Sequence, residues 1–352
     1  MNALSDQTLL TERQKLILSL VIHDYTETAN PVGSNRLVSH YKLDSSSATV
    51  RNELAALTEM GFLRQPHTSA GRVPTEDGYR YFVQQHLQRS NELPESTRQM
   101  ISHQFYQMQY DVDQWMRLAA SVLAYQSQAA SLITAPHPDH SRFKHLELIS
   151  TQGRQVLMVL VTASGEIHQR ILLLDGPVSQ SRLSAAANRL TENLAGYDVE
   201  SILAAAAGLT GLEHDAAIWV AEDLQKANSL AAGEIYLDGW TNVLSEPEFS
   251  NAEEARRALR FLEERSLLQD LLARTVLTGA VGGVHVLIGG EGTWDDLSQC
   301  SLVLARYGAP GLATGTLGVL GPMRMPYGHA ISTVRFLSSL LSDMVAETLG
   351  ES

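Results

Sequence analysis

The run at positions 45–75, SSSATVRNELAALTEMGFLRQPHTSAGRVPT, changes its hydrophobic period twice and is punctuated where it does so. Val50, Leu54 and Leu57 recur at i, i+4 and i+7, which puts them on one face of a helix. Serines precede that helix and can cap it, and Gly61 stops it. Phe62 and Leu63 then read as a short strand leading into a basic loop broken by glycine and proline. Helix, strand and basic hairpin is the order in which a winged helix lays one helix in a DNA groove and a loop beside it.

The residues upstream fit the same plan. Thr11 and Gln14 form a capping box, after which Leu16, Ile17, Leu20, Val21 and Tyr25 share one helical face. That helix should end before Asn30-Pro31. A short second helix follows over 35–41, with Leu37 and Val38 inward, and a turn through Lys42-Leu43-Asp44. Three helices in about fifty residues, the second one short, is helix-turn-helix spacing.

On the third helix, the face opposite the apolar stripe carries Ala48, Asn52 and Ala55, flanked by Thr49 and Arg51. Small residues let a helix sink into a groove; Asn suits adenine, and Arg suits guanine or phosphate. Ser46 and Ser47 at the helix N-terminus favour a phosphate oxygen. The same wheel also describes an ordinary solvated face. The loop 64–74 holds Arg64 and Arg72, no acid, and His67, Thr68 and Ser69 as donors, which suits phosphate or minor-groove contact and also an ordinary hairpin. The DNA-binding candidates are therefore Ser46, Ser47, Thr49, Arg51, Asn52, His67, Thr68, Ser69 and Arg72. Thr75 should cap a further helix, 76–88, with Tyr79, Phe82 and Val83 beneath the loop.

A net charge of −13 argues on its face against nucleic acid. It is unevenly spread: residues 1–90 hold 9 basic and 9 acidic side chains, whereas the remaining 262 hold 17 and 30. An acidic body behind a neutral head is compatible with DNA binding, because only charges within a Debye length of about 8–10 Å of phosphate matter much. The 352 residues are too many for one ordinary domain. The single cysteine, Cys300, excludes an internal disulfide framework and fits a reducing cytoplasm; its apolar neighbours read as a buried thiol. Neither a signal peptide nor a membrane-spanning run is apparent, so a cytoplasmic protein is expected.

Downstream, residues 94–135 read as helix, with Ile101, Phe105, Met108, Val112, Trp115, Ala119 and Val122 on a seven-residue seam. The seam would pack on one helix, within the chain or across a subunit interface. His137, Asp139, His140 and His145 could be taken for metal ligands, but two prolines and irregular spacing favour a surface loop, and no metal or cofactor is expected. Strands are expected over 146–150, 155–162 and 167–174, and helices over 183–194, 201–220, 223–231 and 253–272. Gly279, Gly282 and Gly283 precede a strand, the reverse of a dinucleotide fingerprint. No nucleophile elbow, phosphate loop or spaced acid/base pair is present, so an enzyme is not expected.

The runs SSATVRNE (46–53) and QPHTSAGRVPT (65–75), with Gly78-Tyr79-Arg80, together resemble the bacterial HrcA family of heat-inducible transcription repressors. YLDGW (236–240), NVLSEPEF (242–249) and the region 289–327 resemble further parts of that family, over about residues 4–350. The chain departs from the family pattern at Arg64, Trp240, Met323 and Pro326. The resemblance implies an α+β protein in which a winged helix-turn-helix domain (1–90) and a helical connector (91–142) precede a GAF-like α/β domain. That domain would occupy 143–195 and 279–352 and be interrupted by an inserted dimerisation domain at 196–278. It further implies a homodimer that binds an inverted-repeat operator of chaperone genes in double-stranded DNA and is modulated by a GroEL-type chaperonin. A rival reading keeps the winged helix but has the GAF-like domain sense a small-molecule ligand.

Overall fold

Thr11 opens the first helix as expected. In the computed structural model its side chain accepts from the Gln14 amide while the Gln14 side chain returns the bond. The structure describes residues 10–88, 92–108, 111–137, 141–163, 165–229, 234–275, 280–289 and 294–350. They divide into two compact units, one of 1–135, 234–307 and 316–344, the other of 136–233, 308–315 and 345–352.

The first unit begins with α1 (Glu12–Thr28), α2 (Ser34–Tyr41) and α3 (Ser47–Glu59), then a ribbon of β1 (Leu63–Arg64) and β2 (Val73–Pro74), then α4 (Glu76–Gln88). Val50, Leu54 and Leu57 of α3 are buried with Ile17, Leu18, Val21 and Leu37, as the periodicity predicts. Buried Asp24 of α1 accepts from Arg36 Nε of α2 at 2.6 Å, a pairing that fixes the two helices to each other.

Helix α5 (Glu95–Tyr106) and helix α6 (Val112–Ser127) follow, then β3 (Ala130–Thr134). The expected single helix over 94–135 is thus wrong in two places. Trp115 Nε1 donates to the Met108 carbonyl at 2.8 Å across the break between the helices. Gln128, with φ 49°, ends α6, and the apolar run after it is a fully buried strand. Periodicity cannot separate so short an apolar run from the tail of a helix. Ile101, Phe105, Trp115, Ala119 and Val122 of the seam are all buried within the chain.

In the second unit β4 (Phe143–Ser150), β5 (Gln155–Thr162) and β6 (Ile167–Leu173) form an antiparallel sheet of their own. Helices α7 (Gln180–Leu194), α8 (Val199–Ala206) and α9 (Leu212–Ser229) complete that unit's core around Leu146, Leu148, Met158 and Leu160. The expected Ala-rich helix is therefore two helices, parted at Gly208 and Gly211.

The chain returns to the first unit with β7 (Ile235–Asp238), α10 (Trp240–Leu244), α11 (Ala252–Glu263), α12 (Arg265–Thr275) and β8 (Val284–Ile288). It continues through β9 (Cys300–Ala309), β10 (Ala313–Pro322) and α13 (Tyr327–Gly350), of which residues 308–315 and 345–350 belong to the second unit. These strands take the order β7-β3-β10-β9-β8. The expected assembly of 143–195 with 279–352 in one sheet is therefore not what forms. The partners of β8–β10 are β3 and β7, and the segment set apart is 136–233 rather than 196–278. Cys300 is buried, as its apolar neighbours predict.

Candidate nucleic-acid interface

The candidate residues lie on α3 and on the loop between β1 and β2. Ser46 caps α3: its Oγ accepts from the Thr49 amide at 3.1 Å and shares a 2.9 Å hydrogen bond with Thr49 Oγ1. Ser46 and Thr49 therefore hold each other and shape the helix start, while Ser47 is half-buried beside them. Arg51 and Asn52 are exposed, next to exposed Ala48. Among the described residues the Arg51 and Asn52 side chains make no hydrogen bond or ion pair. That leaves one planar cation and one amide on a helix whose other side is locked into the core by Val50, Leu54 and Leu57.

His67, Thr68 and Ser69 form the exposed tip of the loop. Gln65, which is not among the candidates, organises it. Its Nε2 donates to the carbonyls of Thr68 and Ala70, each at 2.9 Å, and the Ala70 amide donates to the His67 carbonyl at 2.8 Å. The tip is thus tied from inside, with its side chains outward.

Arg72 differs from the other candidates. It is half-buried, and its Nε donates to Thr58 Oγ1 of α3 at 2.9 Å. Its main chain exchanges two 2.8 Å hydrogen bonds with Val32, a single antiparallel bridge beside the two-stranded ribbon. Arg72 therefore joins the loop to the C-terminal part of α3. Gly71 is required by the same approach: a Cβ there would lie 2.5 Å from the Val32 carbonyl carbon and oxygen. Gly78 has a parallel constraint, since a Cβ would meet the Phe62 carbonyl oxygen at 2.2 Å. Thr75 caps α4 through the Gly78 amide at 3.2 Å, and its hydroxyl donates to the Gly61 carbonyl at 2.6 Å. The glycines themselves are the trace these contacts leave in the sequence, because their partners lie on other elements.

Of the histidine-rich stretch, Asp139 and His140 lie outside the described residues. Among the described residues no group of three or more His, Cys, Asp or Glu could hold a metal ion. No described helix is long and apolar enough to cross a membrane.

Comparison with known proteins gives the class. A crystal structure described as that of a hypothetical protein, at 2.2 Å resolution, shares the fold. Its TM-score is 0.60 at 22% identity, covering 98% of this chain and 100% of that one. The curated relatives are transcription regulators, not members of an enzyme family. The family model described as "HrcA protein C terminal domain" matches residues 113–331. A heat-inducible transcription repressor HrcA of Roseiflexus castenholzii is 43% identical over 349 residues, covering 97% of this chain and 96% of the relative. Proteins of the same name from Roseiflexus sp. (strain RS-1) and Thermomicrobium roseum are each 42% identical, covering 97% of this chain and 96% and 97% of the relatives. The chain belongs to the HrcA family.

Proposed function

We propose that this chain represses heat-shock chaperone operons by reading an inverted-repeat operator as a homodimer, through α3 and the tied loop as a winged helix-turn-helix. The observation that carries the reading is the exposed Arg51–Asn52 pair on a serine-capped helix, joined through Thr58 and Arg72 to a loop that presents His67, Thr68 and Ser69. In this reading Asn52 and Arg51 meet base edges, the helix start and the loop tip meet phosphate, and Arg72 sets the angle between them. The five-stranded sheet with α13 is the GAF-like body, and residues 136–233 are the segment inserted into it.

A palindromic operator requires a twofold dimer. The second unit offers the surface. Residues Ile149, Leu157 and Ile171 are aligned across its sheet, as are Val161 and Ile167, on the face opposite the core. Ile167, Ile171 and Leu173 are 62%, 68% and 68% exposed. So much accessible apolar surface on one sheet face fits a second copy of the same face. The GroEL-type chaperonin is taken as the partner that keeps the dimer competent, with heat diverting it to unfolded clients.

The test is a gel shift of an inverted-repeat chaperone operator against scrambled DNA, with and without chaperonin, over a temperature ramp. Selective binding that fades on heating and recovers with chaperonin is the expected result. Equal affinity for both DNAs under every condition refutes the reading.

A further inference from the structure

Two stretches with no part in the interface above, 242–249 and 323–327, meet beside the head formed by α1–α4. Arg324 is their junction. Its side chain is only 11% exposed. Nε donates to Glu248 Oε1 at 2.7 Å, and Nη2 reaches Glu248 Oε2 at 3.3 Å and also Glu246. Nη1 crosses to the head and donates to the main-chain carbonyl of Thr26, in the last turn of α1, at 2.9 Å. Carbonyls at that end of a helix carry the negative pole of its dipole, so they favour a cation.

The surroundings are built to match. Tyr327, at the start of α13, lies with its ring centroid 5.8 Å from that of Tyr79 on α4, and both side chains are buried. Tyr327 donates to the Met323 carbonyl and hydrogen-bonds Ser301 Oγ, both at 2.7 Å, which fixes the ring from the body side. A Cβ on Gly289, just past β8, would sit 2.6 Å from Glu76 Oε1, so α4 also approaches the end of β8 closely.

We propose that Arg324, held by Glu246 and Glu248, is a positioning residue that fixes the orientation of the head on the body and so narrows the range of half-site spacings the dimer accepts. The inference rests on the reading of the head as the DNA-binding part. The contacts engage the end of α1, the side of α4 and the start of α13, and leave Arg51, Asn52 and the 67–69 tip exposed. The docking is therefore compatible with DNA binding. Heads held in one orientation on their bodies present fewer centre-to-centre distances to a two-site operator than free heads do. Loosened heads tolerate several distances but must be ordered on binding, which costs affinity at the matched site.

The experiment needs one readout without DNA and one with it. Spin labels at Glu59→Cys on α3 and Asp343→Cys on α13, both exposed positions, report the head–body distance within one chain when labelled protein is diluted with unlabelled. Arg324→Ala should broaden that distribution at least about twofold. It should also weaken binding to the matched operator roughly tenfold and reduce the penalty for a one-base-pair change in spacer. Glu248→Gln keeps shape but removes charge and should give an intermediate broadening, which covers the case in which Arg324→Ala does not fold. Unchanged distance distributions in both folded variants overturn the proposal, even when the unsubstituted protein binds its operator selectively. A broadened distribution in a protein that shows no operator selectivity before substitution overturns the DNA reading, and the spacing claim falls with it.

Discussion

Arg72 is the residue on which sequence chemistry and geometry diverge, and a double-mutant cycle separates their claims. A basic residue in a loop beside a reading helix is expected to meet phosphate. The structure commits its Nε to Thr58 Oγ1 at 2.9 Å, and Thr58 Oγ1 in turn donates to the Leu54 carbonyl at 2.7 Å. Hydrogen bonds from a charged donor contribute roughly 1.5–3 kcal/mol when well shielded. Both side chains here are half-buried, so water competes, and about 1 kcal/mol is the reasonable coupling between them. Thr58→Val keeps the volume and removes the acceptor while leaving the arginine charge in place. The clamp predicts that Thr58→Val and Arg72→Ala each lower stability in urea unfolding, and that the double variant costs about 1 kcal/mol less than their sum. Operator affinity should fall for both, alike for all DNA sequences, because the loop is displaced. Only Arg72→Ala should also flatten the salt dependence, by about 0.9 in log–log slope for each phosphate lost. A coupling below about 0.3 kcal/mol, the scatter expected of independent sites, refutes the clamp. A Thr58→Val variant that binds like the parent would return Arg72 to a phosphate contact alone.

Three other perturbations test neighbouring claims. Asn52→Ala should cost about 1–3 kcal/mol at one operator base position and nothing on random DNA, as read from binding to a set of single-base operator variants. Gly71→Ala drives a methyl into the Val32 carbonyl and should destabilise the head by about 1–3 kcal/mol, the usual range for overpacking; an unchanged denaturation midpoint would contradict that geometry. Ile171→Glu places a charge in the middle of the apolar face of β6 and should yield monomers in analytical ultracentrifugation together with loss of the operator footprint. A monomer that still gives the full footprint would remove the dimer requirement.

How much of this was legible in the sequence depended on how far apart along the chain the partners lie. The capping box at Thr11, the stripe Val50–Leu54–Leu57 and the stop at Gly61 are interactions among near neighbours, and each is legible in the sequence. Sheet membership is not legible in the same way, because it depends on remote pairing. β4, β5 and β6 are consecutive hairpins and read as strands, but nothing local shows that β3 leaves them to pair with β7 and β10. β3 itself was concealed, since ASLIT follows a helix and is buried on both faces, which removes the alternation that marks a half-exposed strand. The same limit governed the interface. Arg51 and Asn52 are candidates that a helical wheel alone can nominate, whereas the clamp from Arg72 to Thr58 spans 14 residues and the bond from Arg324 to Thr26 spans 298. The residues expected to contact DNA sit on locally determined elements. The residues that set where those elements point are joined across the chain, so altering them should change the geometry of reading while leaving its chemistry in place.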